Sequence, residues 1–266
     1  MNNIFKEIID EYQKYEGVKA IAIGGSGVNG GKNGADTLSD IDLYIFVEKN
    51  IPLEDRNKFI PQYSSKYEIG GEYFGSGDEY YVDEMAQQLD VMYWGVNWFE
   101  EITDNVWIKH YPSNGYTTAF LFTLKNFEII YDTDNWLKNL QNKIKGKYPK
   151  ELKQNIIKRN MMLLKDKPFA SYYEQIAKGI KRNDIVSINH RIAAFLASYF
   201  DIIFAVNETF HPGEKRLIRY AKENCKILPQ NFEENIERLL AQPNPETLQI
   251  LDDMVEKIRA IISNRF

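Results

Sequence analysis

"GGSGVNGGKNGADTLSDID", residues 24–42, is the stretch on which the reading of this 266-residue chain turns. Ahead of it, "VKAIAI" (18–23) is an apolar run of the length expected for a buried strand. The segment that overlaps its end, "DIDLYIFV" (40–47), alternates strictly, with Ile41, Leu43, Ile45 and Val47 on one face and Asp40, Asp42, Tyr44 and Phe46 on the other. Successive side chains on a strand point to opposite faces, so the two aspartates project together. The quoted stretch holds six glycines, residues that let a backbone approach a ligand closely.

Several unrelated loops of this composition hold phosphate, and the spacing separates them. Gly25-x-Gly27-x-x-Gly30 after a strand has the form of a dinucleotide-binding turn, which must open a helix that crosses over to a parallel strand. Only "GKNGADTLS" (31–39) lies between Gly30 and the next strand, and its Gly, Asn, Asp and Ser content breaks helices. A P-loop fails as well, because Lys32 is followed by Asn33 where a magnesium-binding Ser or Thr is needed, and Ser26 occupies the place of the first glycine. Two readings remain open. One is a flexible hairpin loop with no ligand. In the other, Gly24, Gly25 and Ser26 offer amides and a hydroxyl to phosphate oxygens, while Asp40 and Asp42 share Mg²⁺ ions that keep substrate phosphates as further ligands.

Gly25-Ser26, a spacer over 27–39, and Asp40-Ile41-Asp42 together resemble the pattern of the DNA polymerase beta-like nucleotidyltransferases, with Ser39-Asp40-Ile41-Asp42-Leu43 its most specific part. That family carries a third carboxylate on a later strand, for which Asp90 in "QLDVMYW" is the candidate. The resemblance spans roughly residues 15–95. It implies that Asp40, Asp42 and Asp90 are catalytic and hold two Mg²⁺ ions, that Gly25 and Ser26 grip the triphosphate of ATP or another nucleoside triphosphate, and that Asp90 accepts the proton of an attacking hydroxyl. The reaction implied is in-line attack on the α-phosphate with pyrophosphate leaving. Asp78, Asp83 and Glu84 are rivals for the third place, but "GSGDEYY" and "VDEMAQ" read as turn and irregular chain.

Elsewhere the pattern predicts a first helix over 3–15 with Ile4, Phe5, Ile8, Ile9 and Tyr12 on one face, and further strands at "QQLDVMYWGV" and "NFEIIYD". "LEDRNKFIPQY" has helical character interrupted by Pro61. From about residue 136 long stretches with 3.6-residue spacing take over, at 149–165, 183–206 and 246–263. The expected fold is α+β: a nucleotidyltransferase domain over 1–135, with a mixed β-sheet and flanking helices, then a helical bundle over 136–266 that binds the substrate.

Charge follows the same division. Residues 1–135 carry 10 Lys and Arg against 23 Asp and Glu, while 136–266 carry 23 against 15, which points to two functional surfaces. The first half lacks the basic groove a nucleic-acid binder needs. From Tyr67 to Ile108 there is no Lys or Arg among ten carboxylates and ten aromatic residues, a surface suited to a small cationic or sugar-like acceptor. Bacterial members of the resembled family that pair such a domain with helices include enzymes that adenylylate aminoglycoside and lincosamide antibiotics, and the size and layout here are similar. Other members modify RNA or protein, or act as antitoxins; an intact carboxylate set and a fused helical half favour a small-molecule enzyme. In the basic half, "NETFHPGEKRL" looks like a segment of related helical domains and offers Lys215 to a triphosphate, and Asn189, His190 and Arg191 on an apolar helix are candidates to face a cleft.

His110, His190 and His211 are too scattered for a zinc motif, and a lone Cys225 excludes an internal disulfide. The longest apolar run, "AAFLASYFDIIFAV" (193–206), contains Asp201 and falls short of the roughly 20 residues that span a bilayer. "MNNIFKEIIDEY" mixes charge with apolar residues, unlike a signal peptide, so the expectation is a cytoplasmic protein without membrane partners.

Overall fold

The computed structural model describes residues 2–25, 40–73, 75–241 and 246–263. Two compact units emerge, one formed by Met1–Asp104 with Thr123–Gly146, the other by Asn105–Phe122 with Lys147–Phe266. The architecture is α+β, with a mixed sheet in the first unit and helices in the second.

In the first unit, helix α1 (Asn3–Gln13) starts where the Asn2 side chain accepts from the Ile4 amide, and it buries Phe5, Ile8, Ile9 and Tyr12. Strands β1 (Val18–Ile23) and β2 (Ile41–Val47) are followed by helix α2 (Leu53–Phe59), strands β3 (Lys66–Gly71), β4 (Gly77–Val82) and β5 (Gln87–Gly95), and then helix α3 (Val96–Trp107). After helix α4 (Ala119–Asn126) come strand β6 (Glu128–Asp132) and helix α5 (Trp136–Lys143). Among the described residues the sheet has the order β3-β4-β5-β2-β1-β6, with β2 and β5 parallel and the other neighbours antiparallel. Its two faces are covered differently. One packs Leu43, Ile45, Leu89 and Val91 against α1 and α2. On the other, Tyr44, Phe46 and Trp94 cluster with Phe99, Phe127 and Trp136: Tyr44 meets Trp94 and Phe127 edge to face, with ring centroids 4.7 and 4.8 Å apart, and Phe46 lies tilted against Phe99 and Trp136.

Strands β3 and β4 correct the sequence reading. "GSGDEYY", expected as a turn, is largely strand, and Asp78 is buried on its core side. There its carboxylate accepts from Arg56 Nη1 (2.6 Å), the Gly70 amide (2.7 Å) and the Tyr93 hydroxyl (2.6 Å), so a charge is matched where the alternation demands an apolar residue.

Helix α5 belongs to the first unit because its ends are tied there. Asp132 accepts from the Leu137 and Lys138 amides, both at 2.9 Å, and Gln141 Nε2 donates to the Leu124 and Phe127 carbonyls. The boundary expected after residue 135 therefore falls inside this unit.

The second unit comprises α6 (Lys150–Met161), continued by a π turn over Met162–Asp166, α7 (Tyr172–Lys181), α8 (Ile185–Val206), α9 (Leu217–Asn224), α10 (Phe232–Ala241) and α11 (Thr247–Ser263). The expected stretches 149–165, 183–206 and 246–263 match α6 with its extension, α8 and α11. The middle helix, α8, is buried along Phe195, Tyr199, Ile202, Ile203 and Phe204, and Asp184 caps it by accepting from the Ser187 amide. The segment 105–122 lies against this bundle. Gly115, at φ +85°, approaches so closely that a Cβ there would sit 2.8 Å from the Ala197 backbone.

A buried polar knot holds that segment in place. Asp201 accepts from the Thr117 amide (3.0 Å), Thr117 Oγ1 (2.6 Å) and Asn160 Nδ2 (3.0 Å), while Asn160 Oδ1 accepts from the Gly115 amide and Thr118 Oγ1 accepts from the His211 amide. Burial pushes the Asp201 carboxyl up to about 7 against these stabilising hydrogen bonds, and pulls His211 down to about 3. A carboxyl raised in the folded state favours folding below its unfolded value, and that contribution is lost as pH rises through the folded value. His211, held low, works in the opposite sense and adds stability as pH rises toward its unfolded value, so the two contributions largely offset one another between pH 5 and pH 7. Asp201→Asn removes the falling one and is expected to make the melting temperature rise with pH more steeply than the parent's, by several degrees over that range. An equally steep slope in the variant would assign the effect to another group.

Candidate functional site

The acidic site forms where β1 ends beside β2. The Gly24 amide donates to the Asp42 carbonyl at 2.9 Å, which carries the ladder one residue past β1. Gly25 then turns at φ +63°, and a Cβ on it would lie 1.7 Å from Asp42 Oδ2. Only glycine fits a corner pressed onto that carboxylate in a left-handed conformation.

Parallel pairing of β2 with β5 sets Asp42 directly opposite Asp90. Leu89 and Val91, on either side of Asp90, lie in the core, so Asp90 projects to the opposite face, the one Asp42 shares with Tyr44 and Phe46. Burial raises the Tyr44 phenol, and the Asp42 charge raises it further. One oxygen of Asp90 is held by Gln88, whose Nε2 donates to Oδ1 at 2.8 Å. Antiparallel pairing then continues the row, with Glu79 opposite Asp90 and Glu68 opposite Glu79. Four strands thus carry four carboxylates in register: Asp42, Asp90, Glu79 and Glu68.

The other candidates are placed as follows. Asp40 immediately precedes β2, two residues before Asp42 and half-buried. Ser26 and the rest of the loop through Ser39 lie outside the described residues. Asp78 faces the core, Asp83 accepts from the Ser65 amide and hydroxyl, and Glu84 is exposed in a short 3₁₀ turn, so none of the three rivals occupies the row. Lys215 is exposed in the second unit, just ahead of α9, and Asn189 lines a cavity of that unit. Gln88 was not marked by the sequence; Glu79 and Glu68 were marked only as members of the acidic, aromatic stretch 67–108, without a place in a row with Asp90.

Among the described residues, no group of three or more His, Cys, Asp or Glu side chains is gathered tightly enough to hold a metal ion. Asp42 and Asp90 nevertheless fit magnesium in kind. They are hard oxygen donors brought side by side by the strand register, and this ion is commonly held by one or two carboxylates with substrate phosphates and water filling the remainder. Among the described residues, no helix is long and apolar enough to cross a membrane.

A family model described as "Domain of unknown function (DUF4037)" matches residues 115–217, a span of the chain that lies mostly in the second unit. No curated protein matches the chain. Among solved structures, a nucleotidyltransferase-like protein from Exiguobacterium sibiricum 255-15 aligns over 98% of this chain and 73% of its own, at 11% identity and a TM-score of 0.49. The spectinomycin adenyltransferase AAD(9) from Enterococcus faecialis, solved with ATP and spectinomycin, aligns over 96% of this chain and 99% of its own, at 13% identity and a TM-score of 0.29.

Proposed function

We propose that the first unit is the catalytic part of a nucleotidyltransferase that moves a nucleoside monophosphate, AMP from ATP, onto a hydroxyl of a small acceptor. The observation that carries this reading is the register of Asp42 against Asp90, with the Gly25 corner packed on the Asp42 carboxylate. Gly25 and Asp42 belong to the Gly-Ser and Asp-x-Asp motif, and Asp90 is the candidate for its third carboxylate. Asp40, Asp42 and Asp90 hold magnesium, which when bound offsets the charge that develops on the attacking and leaving oxygens. Gly25 and Ser26 hold the triphosphate. Asp90, anchored on one oxygen by Gln88, takes the proton of the acceptor hydroxyl.

The acceptor lies beyond Asp90 on the same face. Glu79 and Glu68 continue the row there, and Tyr81, paired with Gln88, adds a partly exposed ring. Carboxylates and ring faces together select a cationic or sugar-like molecule, such as an aminoglycoside.

The deciding experiment incubates the protein with labelled nucleotides and Mg²⁺ against aminoglycosides, lincosamides, RNA and protein. Label transferred to a small hydroxylated acceptor, with release of pyrophosphate, supports the reading; label on RNA or protein alone, or none at all, overturns it. Gly25→Ala tests the corner itself. The left-handed conformation costs a non-glycine residue about 1–2 kcal/mol, and the added carbon must also displace the Asp42 carboxylate. Transfer should fall by about ten-fold or more, with a melting point only a few degrees lower; unimpaired transfer would mean the corner does not position Asp42.

A further inference from the structure

The second unit contains a cavity of about 850 Å³ that the nucleotide-transfer reading does not use. It lies wholly within that unit. Ile192, Leu196 and Phe200 of α8, Leu217 of α9 and Ile236 of α10 make its apolar wall, and Tyr116 closes one side. The volume falls within the roughly 300–1,000 Å³ typical of sites for small molecules, which share this mainly apolar lining with a few polar groups.

Its charged groups carry a positive excess. Arg216, Arg219 and Lys222 line the cavity from the start and the first turns of α9, against two carboxylates, Glu223 and Glu233. Both carboxylates already have cationic partners. Arg219 Nε meets Glu223 Oε1 at 2.8 Å, and Lys222 Nζ reaches from α9 to Glu233 Oε2 on α10 at 2.5 Å. These four side chains are all 44% exposed or more, and ion pairs so exposed contribute little, so an arriving anion exchanges for a glutamate at small cost. Three cationic side chains against two carboxylates leave the edge with an excess of positive charge, which favours an anion over a cation.

We propose that this cavity is a binding site for a small amphipathic anion. Its apolar body lies against α8 and α10, and its anionic head sits at the edge formed by Arg216, Arg219 and Lys222. Arginine suits that place, since its planar fork pairs with carboxylate and phosphate oxygens. The site is independent of nucleotide transfer, and the same residues would bind such a ligand if the first unit catalysed nothing.

The test uses two fluorescent probes of similar shape on the full chain, 8-anilinonaphthalene-1-sulfonate, which is anionic, and N-phenyl-1-naphthylamine, which is neutral. The anionic probe should bind saturably, one per chain. Ala193→Trp places a large ring at an exposed position of the cavity wall and should weaken both probes by about ten-fold or more. Leu240→Trp, at another exposed wall position, serves the same purpose should Ala193→Trp not fold. The double reversal Arg219→Glu with Lys222→Glu should weaken the anionic probe by about ten-fold and leave the neutral one within about three-fold. Absence of saturable binding, binding undiminished by both tryptophan variants, or a charge reversal that moves the two probes alike would each overturn the proposal.

Discussion

Asp42→Asn is expected to reduce nucleotide transfer to background while the protein stays folded. The substitution keeps the shape of the side chain that packs against Gly25, so the corner at the end of β1 has no steric reason to open. What it removes is a full negative charge and one hard oxygen donor from the pair that faces Asp90. The core beneath is untouched, because Leu43 and Ile45 point away from it. The measurement is labelled transfer alongside thermal melting. Substantial transfer by a well-folded variant would show that Asp42 is not a metal-bearing residue, and the proposed reaction would fall with it.

Asp90→Asn comes next in size, with a loss of at least ~10², the lower end of what a positioned base contributes. Nucleotide binding should survive, because the triphosphate is assigned to Gly25 and Ser26. Gln88 can still approach an asparagine oxygen, so the side chain keeps its anchor and the loss reports the missing charge and basicity. Register supplies the sharpest control. Glu79 lies opposite Asp90 on the other side, is exposed, and is the nearest alternative carboxylate on the row. If Asp90→Asn stays close to the parent while Glu79→Gln or Glu84→Gln does not, the proton acceptor has been placed on the wrong residue.

How far the sequence carried depended on whether the decisive interaction was local. Strands β1, β2, β5 and β6 and helices α1, α8 and α11 bury runs whose period is visible over a few residues, and they lie close to where that period put them. Asp90 was legible for the same reason, since Leu89 and Val91 declare the buried face on either side of it. Strands β3 and β4 were not legible. Their exposed residues include Gly, Glu and Tyr, and one inward position is Asp78, apolar in role only because Arg56 arrives from α2 to match it. Gln88, and the place of Glu79 opposite Asp90, became visible only through register, which states who stands opposite whom and leaves no mark in the order of residues. Asp201 did leave a mark, a lone carboxylate inside the most apolar helix, but its partner Thr117 lies 84 positions away.

That distance has a consequence for how this chain can be divided. Thr117 and Gly115 belong to a segment that leaves the first unit after Asp104 and returns at Thr123, so neither unit is written as one uninterrupted length of sequence. A protein begun at Lys147 would carry α6 and α8 without the amides and hydroxyl that satisfy Asn160 and Asp201, leaving a buried carboxylate and a buried amide short of partners. The helical half is therefore no portable module. Recombination that joined it to a different first unit at a single crossover would inherit the bundle without its keystone, and exchange between relatives has to bring residues 105–122 along with it.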